Sequence, residues 1–556
     1  MKLLIQRLVA ERLWILAVLL LPLYIFLPSL EYDFLNWDDH EYIHRNPWLL
    51  SFSLANAVGM FVHPYFANYH PLTMLSYLVD YHLWGLNPAG WRAVNIVLHA
   101  VTCVLVYLLL RSFAARPLAA ALVAALFAIH PLRIESVVWI SERKDVLCGL
   151  FMVGALGVWR LADHGGRRPR RRWLVVAMGL FVLALLSKAM AVTVPVLWLL
   201  HDVLLRRGAV KGRVGWYIAG LALSLLFARF NLAAQTEAIS AGVPLVERIK
   251  IALWAPAHYL GTTLGVIPLS PLYPNAERPV RFLLPTLLGA AVCAGGLGVV
   301  VACWRRRPEV SFGLLAAAVA LGPVSGLVSF GAAYAADRYS YVPTVLLACG
   351  LVGLLQRVPP RWLAAAAIPL LGLSIYTTMR LMPAWRDSVS LWDRVLAIYP
   401  QNSKAKFNRA HGDTAAPQAQ RAAVVESIGH LGGDNTDVMA VVVHARIQDG
   451  DTSAALAAAR AINDRGESLF WQMRALRAAE DHAGAAAVAR EYLPLAPTPE
   501  RRASAALTLA LAGDIAGARA ILEPISVPTF SGARAWGTIA RRAHDSGDDS
   551  AAEAAA

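Results

Sequence analysis

The chain has 556 residues, 57% of them hydrophobic and only 16% charged, with a formal net charge of +14. A soluble globular domain carries about a quarter charged residues, so the composition excludes an ordinary soluble enzyme. The basic excess does not mark a nucleic-acid binder either. It lies in short clusters between apolar runs: Arg167-Arg168 with Arg170–Arg172, Arg206-Arg207 with Lys211 and Arg213, and Arg305–Arg307. Such clusters are topology signals and contacts for anionic lipid.

The first apolar run, ending near Leu30, follows Lys2, Arg7 and Arg12 and has no small-x-small cleavage site. It reads as a first transmembrane helix. A spanning helix needs about 20 mostly apolar residues. On that measure eleven spans fall near 13–30, 93–111, 117–131, 146–162, 173–188, 190–205, 214–230, 282–303, 309–330, 341–356 and 362–380. With the N-terminus in the cytoplasm, alternation puts Arg111/Arg116, Arg167–Arg172, Arg206–Arg213, Arg305–Arg307 and Arg357/Arg361 inside, the side that Lys and Arg favour. Segment 246–268 is also apolar, but a crossing there would send Arg305–Arg307 outside. With Pro256, His258, Gly261 and Gly265 it reads as an interfacial or re-entrant helix within an outer loop of about 231–281. The outer face then receives 31–92, 131–145, Lys188, 231–281, 331–340 and everything after 381. Cys103, Cys148, Cys293, Cys303 and Cys349 lie in or beside apolar runs without ligand or redox spacing, and are expected to be small buried hydrophobes.

From about Gln401 the chain becomes Ala-rich with balanced charge. A turn signature recurs at Gly412-Asp413, Gly450-Asp451, Asp481-His482, Gly513-Asp514 and Gly547-Asp548. Most steps are close to the ~34-residue period of tetratricopeptide helix pairs. The expected architecture is all-α: a transmembrane helical bundle over 1–390 and an extracytoplasmic, tetratricopeptide-like helical solenoid over 391–556.

Candidate chemistry begins at Asn36-Trp37-Asp38-Asp39-His40-Glu41-Tyr42. Adjacent carboxylates near a membrane surface are costly unless exposed, paired or used. The Asp38-Asp39 pair is either a solvated loop start or the source of a base that takes a proton from an acceptor hydroxyl. The loop 131–145 holds Arg133, Glu135, Glu142, Arg143, Lys144 and Asp145 on the side disfavoured for Lys and Arg. It is either an interfacial ion-pair network or a grip on a lipid-linked phosphate by Arg143 or Lys144. Lys188 either snorkels to the surface or neutralises a leaving phosphate. Asp337-Arg338 either satisfy each other or offer Arg338 to a phosphate. His63, His70, His130 and His258 match no ligand spacing, so no metal is expected. Tyr42, His63, His70, Glu135 and Asp337 stand as candidates for acceptor contact or structural support.

Several stretches together resemble the bacterial relatives of the transmembrane-and-tetratricopeptide O-mannosyltransferase family. They are Asn36-Trp37-Asp38-Asp39 with Tyr42, Ile43 and Asn46-Pro47; His130-Pro131 through Val137; Trp139 through Leu147; Leu186-Ser187-Lys188; Ala336 through Tyr339; and Trp385-Arg386-Asp387-Ser388 with Leu391-Trp392. The resemblance covers about 1–410, and the array fits it, although the array is short and its repeats are degenerate. It implies a GT-C membrane glycosyltransferase, inverting, that takes a sugar from a polyprenyl-phosphate donor at the extracytoplasmic face of the inner (plasma) membrane. Asp38 is then the base with Asp39 beside it. The donor phosphate is held by cations drawn from Arg143, Lys144, Lys188 and Arg338. The resemblance further implies a reaction without a divalent metal, and the array itself points to an acceptor protein. A surface polysaccharide or lipid A is the alternative acceptor. A non-enzymatic membrane scaffold is the alternative of another class, but an anchor needs one span and no charged outer loops. A transporter would place its ionisable residues near the bilayer midplane, and here they cluster at one surface.

Overall fold

Pro71, Pro88, Pro117, Pro308 and Pro360 each open a helix, where the missing N–H costs nothing and the fixed φ is already helical. The structure, a computed structural model, describes residues 2–66, 68–113, 116–162, 171–234, 244–274, 283–327, 333–412, 439, 442–444, 446–447, 450–496, 498–525 and 530–545. Arg167, Arg168, Arg170, Asp413, Gly547 and Asp548 lie outside them. Two compact units emerge, one of residues 1–35 and 60–398, the other of 36–59 and 399–556.

The helices up to residue 398 are α1 (Lys2–Phe26), α2 (Leu54–Val62), α3 (Pro71–Trp84), α4 (Pro88–Ser112), α5 (Pro117–Ile129), α6 (Ile134–Val138), α7 (Arg143–Leu161), α8 (Arg171–Ser187), α9 (Val194–Leu205), α10 (Val210–Ala234), α11 (Leu245–Thr263), α12 (Leu283–Cys303), α13 (Pro308–Leu321), α14 (Tyr341–Leu355), α15 (Pro360–Leu381) and α16 (Ser388–Ile398). Each of the eleven expected spans overlaps a helix, and the end of one of them, residues 328–330, lies outside the described residues. Among the described residues, six stretches are long and apolar enough to cross a membrane: Glu11–Glu31, Pro88–Ser112, Arg207–Ala234, Leu283–Cys303, Asp337–Leu355 and Pro360–Trp385. A seventh results if α5 and Pro131–Val138, bent by 57° at Pro131, form one broken span. The segment around 246–268 is helical over α11 and is not among the six. In α12 and α15 only 11% and 17% of the apolar windows are buried, so Leu283, Leu297, Val301 and Ile368 point outward. An outward row of this kind is solvated by hydrocarbon and not by water.

The core of the first unit joins α4, α5, α7, α8, α9, α13 and α14. Trp159 and Trp198 stack at 4.3 Å within it. α13 and α14 approach closely at Gly313, where a Cβ would meet the Cα of Gly350 at 2.9 Å. Charged groups gather at opposite ends of the long helices. At the start of α4, Arg92 donates to the carbonyls of Tyr32, Asp33 and Val138, and at its end Arg111 pairs with Glu11 at 2.8 Å. α7 carries Arg143, Lys144 and Asp145 at its start and Arg160 at its end, where Arg160 meets Ser112 and His201. Nearby, the buried Asp202 accepts from Trp159, Arg213 and Tyr217. The 25 residues of α4 span about 37 Å, enough for a hydrocarbon core between two polar layers.

Among the described residues a short β-ladder departs from an all-helical reading. Tyr273–Pro274 (β1) pairs antiparallel with Ala333–Ala335 (β2), Tyr273 opposite Ala335. The first unit runs to Ile398, eight residues past the boundary read from sequence, because α16 buries Leu391, Trp392 and Val395 and Arg394 donates to the carbonyl of Leu269. All five cysteines are free thiols, with Cys103, Cys148 and Cys349 buried.

In the second unit, the helices Thr452–Arg460, Arg465–Ala478, His482–Tyr492, Pro499–Leu511, Ile515–Leu522 and Phe530–Asp545 follow one another. Buried alanines, among them Ala455, Ala459, Ala486, Ala489, Ala506 and Ala510, let them approach. The recurring aspartates are helix caps: Asp451, Asp481 and Asp514 accept from the backbone N–H of Ala454, Gly484 and Gly517 at 2.9–3.0 Å. Each follows a residue in the left-handed region, Gly450 (φ +75°), Glu480 (φ +60°) and Gly513 (φ +92°). The middle turn is therefore Glu480-Asp481, one residue earlier than the Asp481-His482 read from sequence, with Glu480 in the glycine position. Left-handed backbone is costly for any residue with a Cβ. Replacing Glu480 with Gly is expected to stabilise the turn by on the order of 1 kcal/mol. Asp514→Ala should cost about 1 kcal/mol. Hydrogen exchange of the full chain in detergent checks both: slower exchange over 482–492 for the first, faster over 515–522 for the second.

Candidate active site

α5 stops at Ile129 because the residue before a proline is driven out of the helical region. His130 is accordingly extended (φ −64°, ψ 138°). The chain then takes a broken path through a tight turn at Pro131–Arg133, α6 and a second tight turn at Ile140–Glu142 before α7 begins. That path buries Arg133, Glu135, Glu142, Arg143, Lys144 and Asp145 at the N-terminal end of α7.

Glu142, 1% exposed, is the centre. Its carboxylate meets Lys144 Nζ at 3.2 Å, Lys188 Nζ at 3.3 Å and Arg338 Nε at 3.3 Å. Lys188, on the extended residue that ends α8, also holds Asp145 at 2.5 Å. Arg338, on the turn Asp337–Ser340, pairs with Glu135 through its guanidinium and through its backbone N–H at 2.8 Å. Its guanidinium lies 5.5 Å from the ring of Trp139 and 5.1 Å from that of Tyr339. Asp337 accepts from Tyr273 at 2.7 Å, so the β1–β2 ladder anchors the turn that carries Arg338.

Electrostatics separate these carboxyls. Burial acts to raise Glu142, but Lys144, Lys188 and Arg338 outweigh it and hold it well below the usual carboxylate range. Burial pushes Asp145 up to about 7 in spite of Lys188. Burial also raises Glu135 against Arg338. His70 is buried beside this group; burial, Lys144 and Lys188 push its imidazole down to about 3, so it is neutral at physiological pH.

Three of the four cations read from sequence therefore come together: Lys144, Lys188 and Arg338. Arg143 turns the other way. It is fully buried, pairs with Asp80 at 2.5 Å, and donates to Asn95 Oδ1 and the carbonyl of Trp91. Glu135 and Asp337 belong to the cluster and His70 adjoins it, whereas His63 is half-buried on the segment before α3. Arg133, not singled out for a role above, is enclosed by the rings of Phe127 and Tyr341 and donates to Ser340. Asp80 and Tyr273 were also missed. For Asp80 a signal existed, a lone acid in the apolar run Leu78-Val79-Asp80 of α3. Among the described residues no three His, Cys, Asp or Glu side chains group as metal ligands would.

Asp38 and Asp39 lie in the second unit. The carbonyl of Asp38 accepts from the N–H groups of Glu41 and Tyr42, and Arg45 N–H reaches back five residues to the carbonyl of His40, a wide turn over His40–His44. Asp39 is fully buried and Asp38 half-buried. Tyr42 is buried and its carbonyl accepts from Asn46. Asn36 donates to the carbonyl of Asn408 at 2.6 Å, which ties this segment to the helix Ser403–Gly412.

No protein-family model matches the chain. The human and mouse proteins named protein O-mannosyl-transferase TMTC4 are each 25% identical to it, over 415 and 434 residues. The chain is similar to these transferases. The alignments cover 61% and 65% of this chain and 55% and 57% of those proteins, so the chain spans a little over half the length of the curated relatives it matches. Human protein O-mannosyl-transferase TMTC1 is 36% identical over 143 residues, 24% of this chain and 16% of that protein. Among solved structures, ArnT from Cupriavidus metallidurans bound to undecaprenyl phosphate is 17% identical, covering 88% of this chain and 81% of that one. Its TM-score of 0.39 is too low to establish a common fold.

Removing Arg143 would leave Asp80 buried without its partner. Arg143→Met is expected to destabilise by about 3–5 kcal/mol, and Arg143→Met with Asp80→Leu to recover part of the loss. Thermal unfolding in detergent distinguishes the two variants.

Proposed function

We propose that the chain is a GT-C membrane glycosyltransferase that moves a sugar from a polyprenyl-phosphate donor to protein hydroxyls at the extracytoplasmic face. The observation that carries this reading is the convergence of Lys144, Lys188 and Arg338, from three separate segments, on one buried carboxylate. Three cations gathered at the ends of apolar helices suit a phosphate whose lipid tail lies among those helices. The similarity to proteins named O-mannosyl-transferases favours mannose as the sugar and protein as the acceptor. In the proposed reaction Asp38 takes the proton of the acceptor hydroxyl as its oxygen attacks the anomeric carbon. The bond from that carbon to the phosphate oxygen breaks with inversion, and the lipid phosphate leaves with the electron pair, stabilised by the cations. Of the two aspartates Asp38 is the more accessible, which supports it as the base. Arg143, committed to Asp80, positions the loop and does not hold the donor. No step requires a divalent metal.

The same reading places the N-terminus in the cytoplasm, eleven spans in the inner membrane, and a tetratricopeptide-like array outside, where it recruits the acceptor. Its caps recur 30 and 33 residues apart at Asp451, Asp481 and Asp514, which supports the repeat. Asp38→Asn is expected to lower transfer by about 10²- to 10⁴-fold while donor binding persists. Lys188→Met and Arg338→Met should weaken donor binding itself. Mass spectrometry of envelope glycoproteins, with a binding assay for the donor, reads both effects. Unchanged transfer by Asp38→Asn would refute the base, and new sugar found only on polysaccharide or lipid A would refute the protein acceptor.

A further inference from the structure

Lys188 Nζ is shared by two buried carboxyls, Glu142 Oε2 at 3.3 Å and Asp145 Oδ1 at 2.5 Å. The other oxygen of Asp145, Oδ2, is buried and receives no hydrogen bond from the described residues, and Glu142 lies within hydrogen-bonding reach of the Asp145 carboxyl. Two carboxyls at one buried site resist being charged together. The charge count gives this pair a role. Lys144, Lys188 and Arg338 contact the carboxyls of Glu135, Glu142 and Asp145. With all six ionised the group is neutral and holds nothing in reserve for an anion; Arg133 and Asp337, which face each other beside it, add one charge of each sign and leave the balance unchanged. With one proton on the acids it carries one surplus positive charge.

We infer that a proton held on Asp145 against Glu142 sets the charge of the cluster, so that a singly charged lipid phosphodiester is accepted when the proton is present and disfavoured when it is lost. The inference rests on the donor reading above and adds its regulation. Asp145 is faced by Lys188 after α8, Glu142 from the turn before α7, Arg133 from the turn before α6, Arg338 from the turn before α14, Cys148 one turn along α7 and Tyr341 at the start of α14. Glu142 is faced besides by Lys144, Glu135 and His70. Burial lifts Asp145 to about 7, whereas the three cations hold Glu142 ionised, so the proton resides on Asp145. A bound anion favours the protonated form. Binding is therefore strongest below about pH 7 and weakens as pH rises through it, approaching tenfold per pH unit.

The test is calorimetric binding of farnesyl phosphomannose to the full chain in detergent, from about pH 6 to about pH 9. The single phosphate charge of this probe does not titrate in that range. The expected result is a level Kd on the acid side and a rising one above about pH 7. Asp145→Asn, neutral at every pH, should bind at the acid-side affinity throughout, with the slope abolished. Glu135→Gln should keep the slope. A wild-type Kd that does not change with pH overturns the inference, as does a slope that survives Asp145→Asn or vanishes in Glu135→Gln. If Asp145→Asn fails to fold, the wild-type and Glu135→Gln profiles still decide. Absence of any binding by the wild type at every pH overturns the donor reading itself and this inference with it, whereas binding without a slope overturns the inference alone.

Discussion

A single buried carboxylate, that of Glu142, ties together three stretches of chain that lie far apart in sequence. Lys144 at the start of α7, Lys188 after α8 and Arg338 before α14 all reach it. An isolated charge so deeply buried would cost many kcal/mol, and a buried cation is no cheaper, so each of these groups is stabilised by the others. The loops they stand on are placed by that mutual need more than by their own conformational preferences. Burying ions in this way stabilises a fold poorly compared with apolar packing of the same volume. Its retention at one end of an apolar bundle fits a chemical use.

Much of this was legible in the sequence, for definite reasons. Apolar runs of about 20 residues and prolines at helix starts mark the helices. The positive-inside rule assigned 131–145, Lys188 and 331–340 to one face, and in the structure side chains from these three segments touch. What could not be read was rotation. Arg143 and Lys144 are neighbours, yet adjacent residues on a helix point about 100° apart, and only the broken path from Pro131 to Glu142 fixes which of them faces Lys188. Arg143 went instead to Asp80, 63 positions earlier in the chain. The β1–β2 ladder was invisible because two or three residues show no periodicity.

The repeat region illustrates a different limit. Aspartate as a cap leaves a mark in sequence because few side chains can accept from the first turn of a helix. The residue before it needs only a positive φ, and at Glu480 the turn is made without glycine. A reading that looked for Gly-Asp was bound to misplace that turn by one residue. Nor did anything local foretell that 36–59 would fold with the C-terminal helices. That association rests on contacts such as Asn36 to Asn408, between residues whose neighbours in sequence carry no trace of it.

The wide turn at His40–His44 gives the aspartate pair a further property. Its closing bond from Arg45 N–H to His40 C=O skips one residue more than an α-helical turn does. Deleting any one residue from it would restore ordinary helical spacing and swing Asp38 and Asp39 by about 100° relative to the chain that follows. The direction in which Asp38-Asp39 face thus depends on the number of residues in the turn, while the buried Tyr42 and Ile43 within it hold the turn in place.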